Sequence, residues 1–239
     1  MNNLYNLYNG TYKKLYNTYN INELETGDII IFNGCDSILS YIIECVTWSK
    51  YSHCGIVVKN PRTIGIDVDD GIYMLESGYD TPPDITTGKK KFGVEIVDLR
   101  KCIENYSGYV YCVKLEFTRT PDIYEKLKES YNLVKKDIYD VNPIDLIKTI
   151  LNINYGNNNR KNMFICSALA SYILYSCGLI YYVNWDLIEP KDLASLTNDN
   201  NLIRYNIIRN PSKYSVHMRQ QILFKPEITI NKLAKLYLD

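Results

Sequence analysis

One histidine and one cysteine of this chain stand in settings that suit nucleophilic catalysis. His53 is one of only two histidines, and it begins the apolar run His53-Cys54-Gly55-Ile56-Val57-Val58. A β-branched run of this kind predicts a strand, which would hold the imidazole rigidly. Gly55 leaves room for another backbone or for a substrate to approach closely. His53 is therefore a candidate catalytic base.

Cys166 is the candidate nucleophile. It begins an apolar segment that predicts a helix ending near Gly178, and Arg160 and Lys161 precede it. A free thiol with a pKa of about 8.5 is mostly protonated near neutral pH, but a helix N-terminus and a nearby imidazolium both favour the thiolate. The unpaired backbone N–H groups at a helix N-terminus can also stabilise an oxyanion. Most free cysteines are small core residues, and that interpretation of Cys166 stays open.

Length and charge limit the classes of function. The 239 residues, 46% of them hydrophobic, are enough for one globular domain with a substantial core. Lys plus Arg and Asp plus Glu number 27 each, so the net charge indicates no nucleic-acid partner. No apolar segment has the pattern of a membrane span, and the first residues lack that of a secretory signal.

Cysteine content and amino-acid usage indicate the environment of the protein. The seven cysteines are odd in number and lack the spacing of a disulfide scaffold, which predicts a reducing, cytoplasmic compartment. The 23 tyrosines, together with many Asn, Ile and Lys residues, are typical of genomes rich in A and T, including those of large DNA viruses. For a viral protein the expected location is the host cytoplasm or the virion.

The hydrophobic pattern predicts a set of strands followed mainly by helices, an α+β organisation. The predicted strands are 29–32, 53–59, 71–78, 93–99, 109–117 and 202–208, and the predicted helices are 36–45, 121–137, 143–151 and 166–177. Residues 4–19 suit an amphipathic helix, and 216–239 look partly helical. We expect a helical extension (1–22), a main domain (23–210) and a C-terminal tail (211–239) within one globular unit.

Five short motifs, in this order, resemble the circularly permuted branch of the NlpC/P60 papain-like superfamily, which includes YiiX-like proteins of bacteria and poxvirus members. They are Gly27-Asp28-Ile29-Ile30-Ile31-Phe32, Tyr51-Ser52-His53-Cys54-Gly55-Ile56-Val57, Met74-Leu75-Glu76-Ser77, Phe164-Ile165-Cys166-Ser167-Ala168-Leu169 and Glu189-Pro190-Lys191-Asp192-Leu193. The resemblance implies a papain-like α+β fold, in which helices pack on an antiparallel sheet or barrel and the catalytic cysteine begins a helix.

The same resemblance implies a cysteine hydrolase in which Cys166 is the nucleophile, His53 its base and Glu76 the group that orients the imidazole. The implied substrates are peptides, other amides or acyl lipids. The lipid acyltransferase branch carries Asn-Cys-Glu-His around its nucleophile, whereas this chain has Ile165-Cys166-Ser167-Ala168, which argues against acyl transfer to lipids. An alternative of another class is a papain-like module that only binds a partner or serves as a structural component of a virion.

Two assignments have competitors within the sequence. His217 follows Cys166 and would satisfy the standard order of cysteine before histidine, but its polar surroundings indicate a surface or tail residue. Glu76 competes with other carboxylates in the same region, namely Asp67, Asp69, Asp70 and Asp80.

The sequence predicts neither a metal site nor a cofactor. Cys54 adjoins His53, but successive strand residues point to opposite faces and cannot readily hold one ion. The chain contains no Cys-x-x-Cys or His-Glu-x-x-His pair, and the loop after the first predicted strand lacks a phosphate-binding lysine.

Overall fold

The computed structural model describes residues 18–34, 50–78, 82–90, 93–135, 166–181, 188–194, 202–209, 214–221, 227–230 and 234–238. Strands β1 to β11 are, in chain order, Thr18–Asn20, Ile29–Asn33, Tyr51–Lys59, Ile72–Gly78, Gly93–Asp98, Tyr109–Val113, Leu115–Glu116, Leu202–Arg209, Tyr214–Gln221, Thr229–Ile230 and Ala234–Tyr237. Helices α1 to α4 are Leu99–Asn105, Pro121–Val134, Cys166–Ser176 and Pro190–Ala194. Short 3-10 turns lie at Ile21–Glu23 and Pro61–Ile64.

Seven strands form one large sheet in the order β1-β11-β6-β2-β3-β4-β5. All neighbours in it are antiparallel except β1 and β11, which are parallel. The sheet ends at β1 and β5 and does not close, so the barrel considered from the resemblance is wrong. The pairs β7–β10 and β8–β9 form two small separate sheets.

Each face of the large sheet supports its own hydrophobic core. In β2, Ile29 and Ile31 join the core that contains residues of α2 and α3, whereas Ile30 and Phe32 join the core that contains residues of α1. All four side chains are buried. A strand buried on both faces reads as a continuous apolar run, which explains the Ile-Ile-Ile-Phe sequence.

Most predicted elements within the described residues are confirmed. Strands β2, β3, β4, β5 and β8 match their predictions to within two residues, and α2 and α3 form where the helical pattern indicates. Gly178 adopts the left-handed φ of 72° directly after α3, as expected of a glycine that ends a helix. The helices predicted at 36–45 and 143–151 lie outside the described residues.

The expectation of a separate, partly helical C-terminal tail is corrected, because this segment contributes a strand to the large sheet. Strand β11 pairs with β6 on one side and β1 on the other. Ala234 and Leu236 are buried and Lys235 between them is exposed, which is the alternation of a strand rather than of the expected partial helix. At the other terminus, the described end of the predicted 4–19 helix, Thr18–Asn20, is also a strand. Residues 1–17 lie outside the description.

The Gly27-Asp28 motif anchors the first strand of the core. Asp28 is fully buried and accepts hydrogen bonds from the backbone N–H groups of Glu25 (2.9 Å) and Leu115 (3.0 Å) and from Arg119 (3.3 Å). Because the Leu115 N–H bonds this carboxylate, the strand predicted over 109–117 divides, and Leu115–Glu116 pairs with β10 instead.

Helix α1 was not predicted. Residues 93–99 read as one strand, but the chain turns into a helix after Asp98, whose side chain accepts a hydrogen bond from the Lys101 N–H at 3.2 Å. An aspartate at this position is an N-cap signal that the apolar run of β5 obscured.

Candidate active site

His53 lies near the start of β3, beside an irregularity in the pairing with β2. The register shifts between Phe32 and Asn33, so that Phe32 lies opposite His53 and Asn33 opposite Tyr51. Such irregularities redirect side chains. The His53 ring packs against the Phe32 ring at a centroid distance of 5.5 Å, and the His53 side chain keeps 19% of its surface exposed.

Gly55 brings the next strand unusually close to β3. A Cβ at this position would lie 2.5 Å from Met74 Cγ and 3.0 Å from the Leu75 carbonyl oxygen. Of the two uses expected of this glycine, approach of a neighbouring strand is therefore the one observed. This approach brings β4, and with it Glu76, within reach of His53.

Glu76 is the carboxylate that forms a hydrogen bond with His53. It lies on β4, its side chain is fully buried, and its Oε2 atom forms a short hydrogen bond with His53 Nε2. Three of its competitors lie elsewhere: Asp67, Asp69 and Asp70 are clustered around the guanidinium of Arg62. The fourth, Asp80, is outside the described residues.

Cys166 is the first residue of α3 and is 3% exposed. Helix α3 contacts β3 and β4, and the Cys166 thiol makes side-chain hydrogen bonds with both His53 and Cys54. The backbone N–H of Cys54 also donates to the Cys166 sulfur. The three residues proposed from the sequence, Cys166, His53 and Glu76, thus lie in one connected group. Because Nε2 of His53 faces Glu76, Nδ1 is the nitrogen left for the thiol.

The contacts favour an ion pair between thiolate and imidazolium. The hydrogen bond from the Cys54 thiol lowers the pKa of Cys166 well below its usual value, and His53 adds to this, although burial opposes it. Burial acts to lower the pKa of His53, but the Glu76 carboxylate and Cys166 outweigh it and hold that pKa well above its usual value. A charged pair of this kind is the reactive form of a catalytic cysteine.

The other described cysteines differ from Cys166. Burial is the largest cause that raises the pKa of Cys54 and of Cys102, and it raises the pKa of Cys112 and of Cys177 to about 12. Among the five described cysteines, Cys166 alone has a lowered pKa. Cys35 and Cys45 lie outside the described residues.

Cys54 is a participant that the sequence analysis missed. Alternation along a strand suggested that His53 and Cys54 point apart, yet both reach the Cys166 thiol. In the pairing with β2, Cys54 lies opposite Ile31 and His53 opposite Phe32, and the register shift comes next to this pair, between Phe32 and Asn33. The position of Cys54 next to His53 was visible in the sequence, but no pattern there indicated that Cys166 would pack against it.

A second group of residues holds the start of α3. Ser167 Oγ donates to the Ile188 carbonyl, and Asp192 Oδ2 accepts from the Glu189 N–H at 2.9 Å, which caps the short helix α4. Helix α4 contacts α3, β2 and β3. The Glu189-Pro190-Lys191-Asp192-Leu193 motif therefore packs against the helix and the strand that carry Cys166 and His53.

His217 occupies a different sheet. It lies in β9, opposite Asn206 of β8, in the separate two-stranded sheet. The expectation of a partly helical tail from residue 216 is wrong here, since Tyr214–Gln221 is a strand.

Within the described segments, no group of three or more His, Cys, Asp or Glu residues has an arrangement that could hold a metal ion. A search of the same segments for a helix both long and apolar enough to cross a membrane found none.

Comparisons with known proteins give likenesses among solved structures only. No family model matches the chain, and no curated protein matches it. Among solved structures, the chain is similar to the crystal structure of metalloprotein yiiX from Escherichia coli O157:H7, described as DUF1105. The two are 18% identical with a TM-score of 0.43, over 87% of this chain and 96% of that one.

Proposed function

We propose that this protein is a cysteine hydrolase of the permuted NlpC/P60 papain-like type, with Cys166 as nucleophile, His53 as base and Glu76 as the residue that orients the base. The observation that carries the proposal is the unbroken series of contacts from the Cys166 thiol through His53 to the buried Glu76 carboxylate. A nucleophile, a base in contact with it and a third group that fixes the base are the signature of this chemistry.

Each residue has a defined task in the proposed reaction. The Cys166 thiolate attacks the carbonyl carbon of an amide or ester, and the N–H groups of the first turn of α3 stabilise the oxyanion. The His53 imidazolium then gives its proton to the leaving amine or alcohol, which leaves an acyl group on the sulfur. Neutral His53 takes a proton from water, which hydrolyses the acyl-enzyme. Glu76 keeps Nε2 occupied, so that Nδ1 faces the sulfur throughout.

The proposed substrates share an unhindered acyl carbon. Peptides, other amides and acyl esters all present one, and the acceptor in the second half of the reaction is water or another nucleophile. No metal ion or organic cofactor is needed for these steps, because each proton and electron pair is supplied by the thiol, the imidazole and water.

Acylation by an activated ester tests the proposal. We expect p-nitrophenyl acetate to give a burst of one p-nitrophenolate per chain and an acetyl group that maps to Cys166 by peptide mass spectrometry. Cys166→Ala and His53→Ala should abolish the burst. Cys177→Ala is the matched control, because Cys177 is a buried cysteine that follows the same helix, and it should keep the burst.

Slow and similar acylation of all seven cysteines would reject the hydrolase and favour the alternative of a binding or virion-structural module. The same experiment on wild-type protein at pH 5 to 9 shows whether the reactive thiol ionises below the range of an ordinary cysteine.

A further inference from the structure

The Cys54 thiol exchanges no proton or electron pair with the substrate in the proposed reaction, yet it lies in hydrogen-bonding contact with the nucleophile and helps to lower its pKa. Cys54 is fully buried and Cys166 is 3% exposed, and both belong to the same hydrophobic core. Helix α3, which begins with Cys166, packs on β3, which carries Cys54, and hydrogen bonds from the Cys54 thiol and backbone N–H lower the pKa of Cys166.

We propose that Cys54 and Cys166 form an oxidisable dithiol, in which peroxide converts the nucleophile to a sulfenic acid and Cys54 resolves it to a disulfide. The disulfide itself needs only the contact between the two thiols. Its consequence for activity, reversible inhibition of the site, rests on the proposed function.

The first step uses the reactivity of the thiolate. The Cys166 sulfur attacks one oxygen of hydrogen peroxide, so that an S–O bond forms, the O–O bond breaks and two electrons pass from sulfur to peroxide. The departing hydroxide takes the proton of the His53 imidazolium and leaves as water. Peroxide is small enough to enter from the side of His53, whose side chain keeps 19% of its surface exposed.

The second step uses the position of Cys54. Its sulfur attacks the Cys166 sulfur, so that the S–S bond forms and the S–O bond breaks, and the leaving hydroxide takes the Cys54 proton to become a second water. The Cys166 anion is among the causes that raise the pKa of Cys54, after burial. Formation of a neutral sulfenic acid removes that charge, so Cys54 gives up its proton more readily when it is needed. The two sulfurs must then close to about 2.0 Å.

A resolving thiol has a specific chemical effect, because a sulfenic acid that is not resolved oxidises further to sulfinic acid, which cytosolic thiols do not reduce. The Cys54–Cys166 pair would convert irreversible damage at the nucleophile into a reversible disulfide.

The test is a peptide map of wild-type protein treated with a small excess of hydrogen peroxide, alkylated and digested without reductant. We expect a linked pair of peptides containing Cys54 and Cys166, about 2 Da lighter than the sum of the two thiols and separated by dithiothreitol. In Cys54→Ser, Cys166 should gain two oxygens, about 32 Da, and dithiothreitol should not restore it. Cys177→Ser is the control for loss of a buried cysteine and should form the link as wild type does.

Cys166 oxidised to sulfinic acid in wild type with no link to Cys54 would overturn the proposal. So would dithiothreitol recovery of Cys166 in Cys54→Ser equal to that of wild type. Because the wild-type map needs no variant, misfolding of Cys54→Ser cannot hide the result. The link without any ester burst would reject the hydrolase and keep the dithiol, and a burst without the link would do the reverse.

Discussion

His53 and Glu76 meet through a hydrogen bond between Nε2 and Oε2, across the antiparallel strands β3 and β4. The carboxylate is fully buried, and its second oxygen, Oε1, has no hydrogen-bond partner within the described structure. A buried carboxylate with an unsatisfied oxygen is costly unless a positive charge compensates it. The imidazolium of His53 is the charge in contact with it, so the two residues depend on each other.

Glu76→Gln should weaken acylation without abolishing it. The amide cannot carry the charge that compensates the imidazolium, and it can donate to Nε2 and so select the wrong tautomer. We expect a loss of about 10²- to 10⁴-fold in the rate of acylation, smaller than the complete loss in Cys166→Ala. Stopped-flow measurement of the ester burst checks this, and unchanged turnover would assign the orienting role to another group.

His53→Ala should raise the pKa of Cys166. In wild type the thiolate persists well below pH 8.5, so alkylation by iodoacetamide should remain fast until acid protonates the sulfur. Without the imidazolium the pKa moves up, and each unit of upward shift lowers the thiolate fraction about tenfold at acidic pH. The pKa of Cys166 in this variant should still lie below that of an ordinary cysteine, because the hydrogen bonds from Cys54 remain. The rate of alkylation against pH is the measurement.

His217→Ala is the matched control for that titration. His217 lies in the separate β8–β9 sheet, and its loss should leave the profile of Cys166 as in wild type. If His217→Ala shifted the pH profile of Cys166 upward while His53→Ala did not, the assignment of His53 as the catalytic base would be refuted.

Cys166 and His53 could be singled out from the sequence because each lies in a segment with a clear local signal, and their catalytic role stays a prediction. β-branched residues mark β3, and the apolar run ended by Gly178 marks α3. The contact of Cys54 with Cys166 was not predictable, since it depends on how α3 packs on β3, which is distant in the chain. The addition of β11 to the large sheet was also missed. Its strand pattern covers only four residues, and pairing with the distant β1 and β6 stabilises it.

Gly55→Ala should destabilise the fold and disturb the site together. The new methyl group would clash with Met74 Cγ at 2.5 Å and with the Leu75 carbonyl at 3.0 Å, so β4 must move away from β3. We expect the free energy of unfolding to fall by about 1–3 kcal/mol, as for other overpacked cores. Because Glu76 moves with β4, the burst rate should fall as well.

Gly71→Ala is the comparison for this variant. The three atoms nearest to its Cβ all belong to the side chain of Tyr73, at 3.1–3.4 Å, so these contacts are longer than those at Gly55. Urea unfolding of both variants separates the two cases. Equal stability of Gly55→Ala and wild type would show that the close approach of the strands is not required.

Asp192 should make the fold less stable as pH rises from about 4 to 7. Burial raises the pKa of Asp192 to about 7, although the hydrogen bond from the Glu189 N–H opposes it. At a pH above 3.8, the ordinary pKa of an aspartate, the unfolded chain has lost the proton of Asp192, whereas the folded state still holds it. Stability from this residue is complete below that value and declines until the folded carboxyl is ionised, by at most about 1.4 kcal/mol per pH unit.

Asp192→Asn isolates this effect, because the amide oxygen can still accept the Glu189 N–H but does not titrate. Thermal unfolding of wild type and variant at pH 5.0 and 7.5 is the measurement. We expect the variant to lose less stability than wild type over this interval, while the exposed-site control Asp67→Asn follows wild type. A variant that declines as steeply as wild type would show that Asp192 is ionised in the fold, and that α4 supports Cys166 through a charged cap.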